Sequence, residues 1–328
     1  MPSSRQRRRV LAADLGGTKL AVAVVDHEGE ILARGSEPVD QSSSNAPVVQ
    51  LCRLAREVGE GAPPESGRPA RAARWSAVGV AVPGLVRPNA TVWAPNLRGW
   101  DRVPLASRLA RRLGVPVVVE SDRNAAVTGE VWRGAGRGKS DVIALIVGTG
   151  IGAGILSGGR LLRGAHELSG CAGWMVVSEE ENNEFTKLGC LESVGAGPGI
   201  VRAVERALLR NLPTALSEMP RETMTAQDVA EAARRGDVLA KKLFERAGKF
   251  LGFAVANLIS LFDPEVVVLG GGMAGAADLY FEILKQTALE RCQPLAARHV
   301  KIRVSRLGND ANLLGAARLA LDAAPRRR

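Results

Sequence analysis

The residues best suited to chemistry lie at glycine-rich turns and at carboxylates close to them. In "LAADLGGTKLAVAVVD", residues 11–26, Asp14 precedes the turn Gly16-Gly17-Thr18. Glycine tolerates positive φ and has no side chain that would block a phosphate, so backbone amides at such a turn can approach a polyanion. A carboxylate beside phosphates is a suitable ligand for Mg²⁺. The stretch therefore predicts a turn that binds phosphate groups and their metal ion.

Two later stretches have the same design. "VIALIVGTGIGAGILSGGRLL", starting at Val142, repeats the order apolar strand, Gly/Thr turn, apolar strand, glycine turn and short strand. The chain is therefore predicted to be internally duplicated. Gly270, Gly271 and Gly272 follow another apolar run, where bare backbone would let an adenine ring lie close. One such turn more often only closes a hairpin, but three of them with an acid before the first favour phosphate binding. The P-loop pattern GxxxxGK[ST] is absent from the sequence.

A second carboxylate, Asp122, follows the strand-like run "VPVVVES". A carboxylate at a strand end projects into a cleft and is suited to accept a proton from a hydroxyl group. The alternative is that Asp122 caps the helix predicted for "RNAAVTGEVW". The local sequence leaves both interpretations open.

The overall composition is that of a folded protein with two lobes. The chain has 328 residues, of which 46% are hydrophobic and 24% charged. The net charge of +10 arises largely from arginines at the two ends, residues 5, 7–9 and 326–328. We expect tails 1–9 and 325–328 to be disordered and solvated. The sequence shows no basic groove with interleaved aromatics, the pattern typical of nucleic-acid binding.

The cysteines and the apolar runs bear on the compartment. Cys52, Cys171, Cys190 and Cys292 form no CxxC pair, which argues for a reducing, cytoplasmic environment. Asp14 interrupts the first apolar stretch too early for a signal peptide. A membrane partner is not expected, since the longest charge-free stretch, residues 142–159, contains six glycines.

Strand meanders open two halves, and helices follow each of them. This order predicts an α/β protein with two lobes around a cleft. The predicted small lobe comprises residues 10–121 plus about 306–324, where the last helix crosses back, and the predicted large lobe comprises residues 122–305.

Seven segments in this order resemble the ROK family of sugar kinases and sugar-responsive repressors: "DLGGTK", "VAVPGLV", "APNLRGW", "SDRNAAVTGE", "GTGIGAGI", "GCLES" and "DPEVVVLGGG". The family belongs to the actin-like ATPase superfamily and includes glucokinases and N-acetylmannosamine kinases. The resemblance implies a duplicated, two-lobed, ribonuclease H-like fold with ATP and Mg²⁺ in the interlobe cleft. Repressor members carry a DNA-binding helix-turn-helix first. Only nine residues precede Val10 here, so the kinase branch and no DNA partner are expected. The family resemblance also implies a homodimer.

The resemblance also implies roles for individual residues. Asp122 matches the catalytic base. ATP and Mg²⁺ are assigned, together with the turns above, to Asp14 (the magnesium residue), Gly16, Gly17, Thr18, Lys19, Gly148, Thr149, Gly150, Gly270, Gly271 and Gly272. The sugar is assigned to Pro83, Gly84, Asn96, Ser121, Asp122, Cys171, Trp174 and Glu192. Asn96 has the alternative of fixing a turn, and Glu192 that of a helix-start carboxylate.

The chain departs from the family where many members bind zinc. Gly-Glu-Ile-Gly-His and a Cys-x-Cys-Gly-x-x-Gly-Cys loop are usual there, with the Glu and the His also contacting the sugar. This sequence has Cys171 at the Glu, Trp174 at the His, and Asn183 and Phe185 at two Cys positions, while Cys190 remains. One thiolate cannot form a four-ligand site, so we predict no structural zinc. Packing of Trp174 on Phe185 would hold the loop instead.

These observations predict ATP-dependent phosphorylation of a hydroxyl group on a hexose or sugar-like polyol. Ser121 replaces the asparagine that usually precedes the base, and Cys171 and Trp174 make the sugar pocket less polar. A cyclitol, a deoxysugar or an amino sugar are therefore alternative substrates. The alternative function is a pseudokinase or sugar sensor that keeps the nucleotide site.

Overall fold

The computed structural model describes residues 8–63, 75–180 and 183–324. Most of the predicted tails therefore lie outside the described residues. Arg9, which was assigned to the N-terminal tail, is instead the first residue of a strand.

Twelve strands and eleven helices make up the described part of the chain. The strands are β1 (Arg9–Leu15), β2 (Lys19–Asp26), β3 (Ile31–Pro38), β4 (Val78–Val82), β5 (Leu85–Val86), β6 (Val92–Trp93), β7 (Val117–Ser121), β8 (Val142–Val147), β9 (Ile151–Ser157), β10 (Arg160–Leu161), β11 (Val266–Gly270) and β12 (Lys301–Val304). The helices are α1 (Ala46–Gly61), α2 (Leu105–Leu113), α3 (Asp122–Arg133), α4 (Asn183–Leu188), α5 (Cys190–Gly195), α6 (Gly197–Leu209), α7 (Ala226–Arg234), α8 (Val238–Phe262), α9 (Phe281–Arg291), α10 (Pro294–Ala297) and α11 (Asp310–Ala323). Three 3₁₀ segments lie at Ala172–Trp174, Arg221–Thr223 and Gly272–Leu279.

The first of two compact units comprises Met1–Gly138, Arg163–Leu168 and Asn309–Arg328, as far as these are described. Its sheet has the order β3-β2-β1-β4-β7. The first three strands form an antiparallel meander, and β4 and β7 run parallel to β1. Every residue of β4 is buried, as expected for a parallel strand with both faces covered. Helix α1 packs on β2 and β3, whereas α11 packs on β1 and β4.

The second unit comprises Lys139–Leu162 and Ser169–Gly308, and its sheet has the order β10-β9-β8-β11-β12. Again a meander of three antiparallel strands is followed by two parallel strands. Helix α8 forms much of the core with fully buried Phe244, Leu251 and Ile259. Both units thus have the same strand order, and the predicted internal duplication is present.

The division into units differs from the predicted lobes of residues 10–121 plus about 306–324 and 122–305. Helix α3 belongs to the first unit, because it packs against α11 with almost no space between the backbones. A Cβ on Gly129 would lie 2.2 Å from the Ala311 carbonyl oxygen, and one on Gly315 would lie 1.7 Å from that of Ala125. These glycines permit the contact, which the chain's helical periodicity does not reveal. Arg163–Leu168 also joins the first unit.

Among the described residues, no helix combines the length and apolar character needed to cross a bilayer.

Candidate functional site

Asp14 lies near the end of β1, in the middle of the first unit's sheet. The Asn312 side-chain amide, on α11, donates to both Asp14 carboxylate oxygens at 3.2 Å. Burial raises the pKa of Asp14 to about 7; the Asn312 hydrogen bond lowers it, the charge of Asp122 raises it, and Lys19 lowers it. A carboxylate whose negative charge is poorly compensated by its surroundings suits a hard divalent cation with oxygen ligands, so the site fits Mg²⁺.

The turn after β1 brings two predicted groups together within the first unit. The Gly16 N–H donates to the Lys19 carbonyl oxygen at 2.9 Å and closes the turn. A Cβ on Gly17 would lie 2.9 Å from the Asn96 Cβ, so the asparagine predicted to contact the sugar lies directly against the turn predicted to bind phosphate. Thr18 and Asn96 are both exposed. The bare backbone at Gly17 thus makes room for Asn96 as well as for a ligand.

Asp122 is the first residue of α3, immediately after the last residue of β7. The Arg123 N–H donates to Asp122 Oδ1 at 2.8 Å and orients the carboxylate. Burial raises the pKa of Asp122, while the Arg123 N–H and the Arg123 charge lower it. The N-cap position is Ser121 rather than Asp122. Asp122 therefore has the favourable environment of a helix start and still offers carboxylate oxygens for chemistry.

The neighbouring predicted sugar residues have more structural partners. Ser121 is buried, and its N–H and hydroxyl donate to Glu120 Oε1 at 2.9 and 3.3 Å. Pro83 and Gly84 form the turn after β4. Gly84 has a φ of +107°, and a Cβ there would lie 2.3 Å from the Trp93 carbonyl oxygen. Ser121 thus fixes the end of β7, and Gly84 is required by its turn.

The second unit has its own glycine turn, between β8 and β9. The Gly148 N–H donates to the Gly150 carbonyl oxygen at 2.9 Å, and the Gly197 N–H donates to the Gly148 carbonyl oxygen at 3.0 Å. The turn therefore lies against the start of α6, which begins at Gly197.

Glu192 lies at the start of α5 and is tied to the same turn. The Ile151 N–H donates to Glu192 Oε2 at 2.8 Å. A Cβ on Gly150 or Gly173 would lie 2.9 or 2.7 Å from this oxygen, so the two glycines make room for the carboxylate. Burial raises the pKa of Glu192, which the Ile151 N–H partly offsets. The carboxylate thus anchors the turn through one oxygen, and Gly150 serves Glu192 in addition to any ligand.

A cavity of about 770 Å³ lies beside this turn, entirely within the second unit. Its wall includes Gly148, Thr149, Gly197, Arg202, Met224, Gln227, Arg234, Gly272 and Met273. Volumes of about 300–1,000 Å³ are usual for small-molecule sites. Arg202 is ion-paired with Glu184 at 3.1 Å, and Arg234 with Asp278 at 2.6 Å. A second cavity of about 420 Å³, between residues 176–179 and α8, contains none of the predicted site residues.

The three glycines after β11 have different environments. Gly272 lines the 770 Å³ cavity, and a Cβ there would meet no atom within 4 Å. Gly271 has a φ of +85°, and its Cβ would lie 2.4 Å from the Val147 carbonyl oxygen. Gly270 ends β11 with Ile146 packed against it. Only Gly272 thus faces the cavity, while Gly271 shapes the turn and Gly270 belongs to the sheet.

The residues at the positions where many members of the family bind zinc do not fit that metal here. Cys190 is buried, and its Sγ accepts a hydrogen bond from the Val177 N–H at 3.4 Å. Cys171 is exposed. Within the described ranges, no group of three or more His, Cys, Asp or Glu residues could hold a metal ion. Zinc-binding chemistry therefore lacks its donors around Cys190 in the described part of the chain.

The expected packing of Trp174 on Phe185 is wrong. Trp174 is 57% exposed, and Phe185 is half-buried on α4. Ion pairs hold this region instead: Glu184 contacts Arg202 at 3.1 Å and Arg206 at 3.5 Å. The short helix α4 thus turns its acid toward α6, and the exposed Trp174 takes no part in this contact.

Two residues near the carboxylates were not anticipated. Asn312 contacts Asp14 from 298 positions away in the chain, and no local pattern announces such a contact. The Arg123 guanidinium donates to the Gly84 carbonyl oxygen at 3.2 Å and to that of Glu167 at 2.9 Å. Arg123 did carry a signal, since "SDRN" has arginine where many members of the resembling family have alanine.

Known proteins are similar to this chain over most or nearly all of its length. The glucokinase of Thermotoga maritima is 34% identical over 322 residues, which are 94% of this chain and 96% of that protein. The xylose repressor of Caldicellulosiruptor bescii is 28% identical over 242 residues, 73% of this chain and 60% of the repressor.

A solved structure shares the fold. The ROK family glucokinase from Streptomyces griseus, in complex with glucose and AMPPNP, is 31% identical with a TM-score of 0.79 and covers 96% of this chain and 100% of that one. The predicted duplicated, two-lobed α/β fold of the actin-like ATPases is confirmed. A sequence model of the ROK family matches residues 10–323. The chain therefore belongs to the ROK family.

Proposed function

We propose that the protein catalyses ATP-dependent phosphorylation of a hydroxyl group on a hexose, with glucose as the first candidate. The observation that carries the proposal is Asp122, an oriented carboxylate at the start of α3 in the unit that also holds Asp14. The glucokinases of Thermotoga maritima and Streptomyces griseus support the choice of sugar.

Asp122 is the general base of the proposed reaction. Phosphoryl transfer depends mainly on in-line positioning and charge neutralisation. The sugar oxygen forms a bond to the γ-phosphorus, the bond from that phosphorus to the ADP oxygen breaks, and the hydroxyl proton passes to the Asp122 carboxylate. Burial raises the pKa of Asp122 above its usual value, which makes the carboxylate a stronger base.

The second unit supplies the nucleotide site. Its 770 Å³ cavity is large enough for adenosine, and Thr149 contributes its backbone and its hydroxyl group to the wall, whereas the Gly148 N–H is already bonded to the Gly150 carbonyl oxygen. The cavity arginines Arg202 and Arg234 are ion-paired within the protein, so backbone amides at the glycine turn are the main phosphate ligands in this proposal.

Asp14 is the proposed magnesium residue. Bound Mg²⁺ neutralises the developing charge on transferred phosphates. In the chain itself, Asn312 fixes both oxygens of Asp14, so the carboxylate is held in one orientation. Lys19 lowers the pKa of Asp14 and favours the charged form that a cation requires.

An ADP-release assay across sugars tests the proposal. Glucose, mannose, N-acetylmannosamine, a deoxyglucose and an inositol are compared, with Asp122→Asn as the matched control. We expect turnover of at least one acceptor by the natural chain. The variant, which is nearly identical in shape, should lose about 10²- to 10⁴-fold in kcat, the usual contribution of a general base. Equal turnover by both proteins would exclude Asp122 as the base, and no turnover of any acceptor would overturn the kinase proposal.

A specific observation favours one alternative, a sugar-sensing protein without transferase activity. Cys171 and Trp174 occupy positions where many members of the family contact the sugar through Glu and His, and both side chains are exposed here. A sensor would bind the sugar and nucleotide in calorimetry but release no ADP above the Asp122→Asn background. A kinase with changed specificity would instead prefer one of the less polar acceptors.

The predicted homodimer and cytoplasmic location also remain proposals. Light scattering of the purified chain measures the first, and fractionation of the source cells measures the second.

A further inference from the structure

Arg123 is a buried arginine next to the proposed base. Its side chain belongs to a residue that is only 9% exposed, which is uncommon for arginine unless its charge and donors are satisfied. The guanidinium donates to the Gly84 carbonyl oxygen at 3.2 Å through one terminal nitrogen and to the Glu167 carbonyl oxygen at 2.9 Å through the other. Arg123 thus links α3 to two backbone segments that are distant in sequence.

The segment Arg163–Leu168 is bound by residues that precede and follow Asp122 in the chain. Arg123 contacts its Glu167, and Glu120 is ion-paired with Arg163 at 2.7 Å. Glu120 is buried and also accepts from the Asn124 side chain at 3.0 Å. Residues two before and one after the proposed base therefore fasten the same six-residue segment to the first unit.

Glu167, which accepts one of these hydrogen bonds, has an unusual backbone conformation. Its φ is +60°, in the left-handed region that non-glycine residues rarely adopt. Such a conformation persists only when the surroundings stabilise it. The Arg123 hydrogen bond to the Glu167 carbonyl oxygen is a charge-assisted contact of the required kind.

The other end of the guanidinium holds the Gly84 turn, which the family resemblance assigns to the sugar. The Arg123 backbone N–H orients Asp122 Oδ1 at 2.8 Å. One residue therefore connects the carboxylate, the Gly84 turn and Arg163–Leu168. Its positive charge also opposes the effect of burial on the pKa of Asp122.

We propose that Arg123 is a positioning residue that holds the Gly84 turn and the Arg163–Leu168 segment around Asp122, so that the sugar hydroxyl is aligned with this carboxylate. The inference rests on the proposed function for its kinetic consequence, but the holding of the two segments does not. Alanine, which many members of the family have at this position, has no side-chain donor with which to make these contacts.

The test compares Arg123→Ala, Arg123→Lys and Arg34→Ala. Arg34 is the matched control, because it forms a bidentate ion pair with Asp310 on the surface of the same unit. Hydrogen exchange of residues 163–168, sugar affinity by calorimetry without nucleotide, and KM and kcat for glucose and ATP are measured in each protein.

For Arg123→Ala we expect faster exchange across residues 163–168 and weaker sugar binding. kcat/KM for the sugar should fall about 10- to 100-fold, the loss typical of charged hydrogen bonds, while KM for ATP stays unchanged. Lysine should restore part of the loss, as should added guanidinium ion in the alanine variant. Arg34→Ala should match the natural chain in all of these measurements.

Unchanged exchange at 163–168 in Arg123→Ala, or equal losses for sugar and ATP, would overturn the inference. If the alanine variant does not fold, Arg123→Lys and Arg163→Gln decide it, because each weakens one anchor of the segment and both should raise its exchange. A natural chain that releases no ADP refutes the kinase proposal alone, since exchange and sugar affinity still report on Arg123.

Discussion

The two units have the same sheet topology but different chemistry at the same place. Two positions before the first glycine of the turn, the first unit has Asp14 and the second has Ile146. Asp14 is fixed by the Asn312 amide, whereas Ile146 packs against Gly270 in the sheet. The first turn is therefore suited to charge, and the second borders an open cavity. The two sheets thus have the same strand order, and single residues at the strand ends make the two turns chemically different.

Among the variants that compare the two units, Asp14→Asn should produce the largest change, because it removes the charge that distinguishes the first unit. Under the proposed function we expect kcat to fall by about 10²- to 10³-fold, as when one preorganised electrostatic stabiliser is lost. Nucleotide binding at the second unit should persist without magnesium. Coupled assays and calorimetry with ATP measure these two effects.

The same variant should make the metal-free protein more stable. The pKa of Asp14 is about 7 in the folded state and 3.8 in the unfolded chain. As pH rises from about 4 to about 7, the carboxyl group ionises in the unfolded chain but not in the folded protein, so the free energy of unfolding falls over this interval. Above neutral pH the cost is at most about 4 kcal/mol. Denaturation of both proteins at pH 4 and pH 8 should show the variant's advantage only at pH 8. An equal advantage at both values would contradict this origin.

In the second unit, Gly271→Ala and Gly272→Ala should separate folding from binding. Gly271 has a φ of +85°, and its Cβ would meet the Val147 carbonyl oxygen at 2.4 Å, so we expect a loss of about 1–3 kcal/mol. A Cβ on Gly272 meets no atom within 4 Å, so stability should stay within about 0.5 kcal/mol. Its methyl group enters the cavity wall and should weaken ATP binding severalfold. Chemical denaturation measures the stability of both variants, and ATP titration measures their affinity for the nucleotide. A stability loss in Gly272→Ala together with a stable Gly271→Ala that binds ATP more weakly would contradict the prediction.

Glu184→Gln should have a smaller effect on the second unit. The acid contacts Arg202 and Arg206, but all three side chains are partly exposed, so solvent screens the pairs. We expect the free energy of unfolding to fall by about 0.5–1 kcal/mol, and this loss should shrink in 1 M salt.

The same samples serve for metal analysis by mass spectrometry. Stoichiometric zinc in the natural chain, or no salt dependence of the loss, would show that ion pairs do not replace a metal in this region.

The sequence predicted the elements and the duplication because these depend on local patterns. Alternating apolar runs and glycine turns mark β1, β2, β8 and β9 almost to the residue. The boundary after residue 121 was not predictable in the same way. The contact between α3 and α11 depends on Gly129 and Gly315, which are far apart in the chain and read locally only as weak helix formers.

The candidate site shows the same distinction. The glycine turn at Gly16 and Gly17 lies against Asn96. This agrees with the prediction that both motifs contribute to one ligand site. The contacts around the carboxylates were missed, since Asn312 lies on the last helix and Glu167, which accepts from Arg123, lies between β10 and β11 in the chain. The burial of Trp174 was predicted from its size alone. Its actual exposure depends on where the loop backbone runs, and hydrophobicity does not determine that path.

Trp174→Ala should have the smallest effect on stability and gives a direct comparison between the units. Trp174 is 57% exposed, so we expect a change within about 0.5 kcal/mol. Trp100 of the first unit is 2% exposed, and its Nε1 donates to the Ser44 carbonyl oxygen at 3.0 Å. Trp100→Ala should therefore cost about 3–5 kcal/mol. Thermal denaturation checks both variants, and acceptor screens of Trp174→Ala and Trp174→His then test specificity. A large stability loss in Trp174→Ala would mean that a partner covers this side chain in solution, whereas altered sugar preference in a stable variant would mark Trp174 as part of the acceptor site.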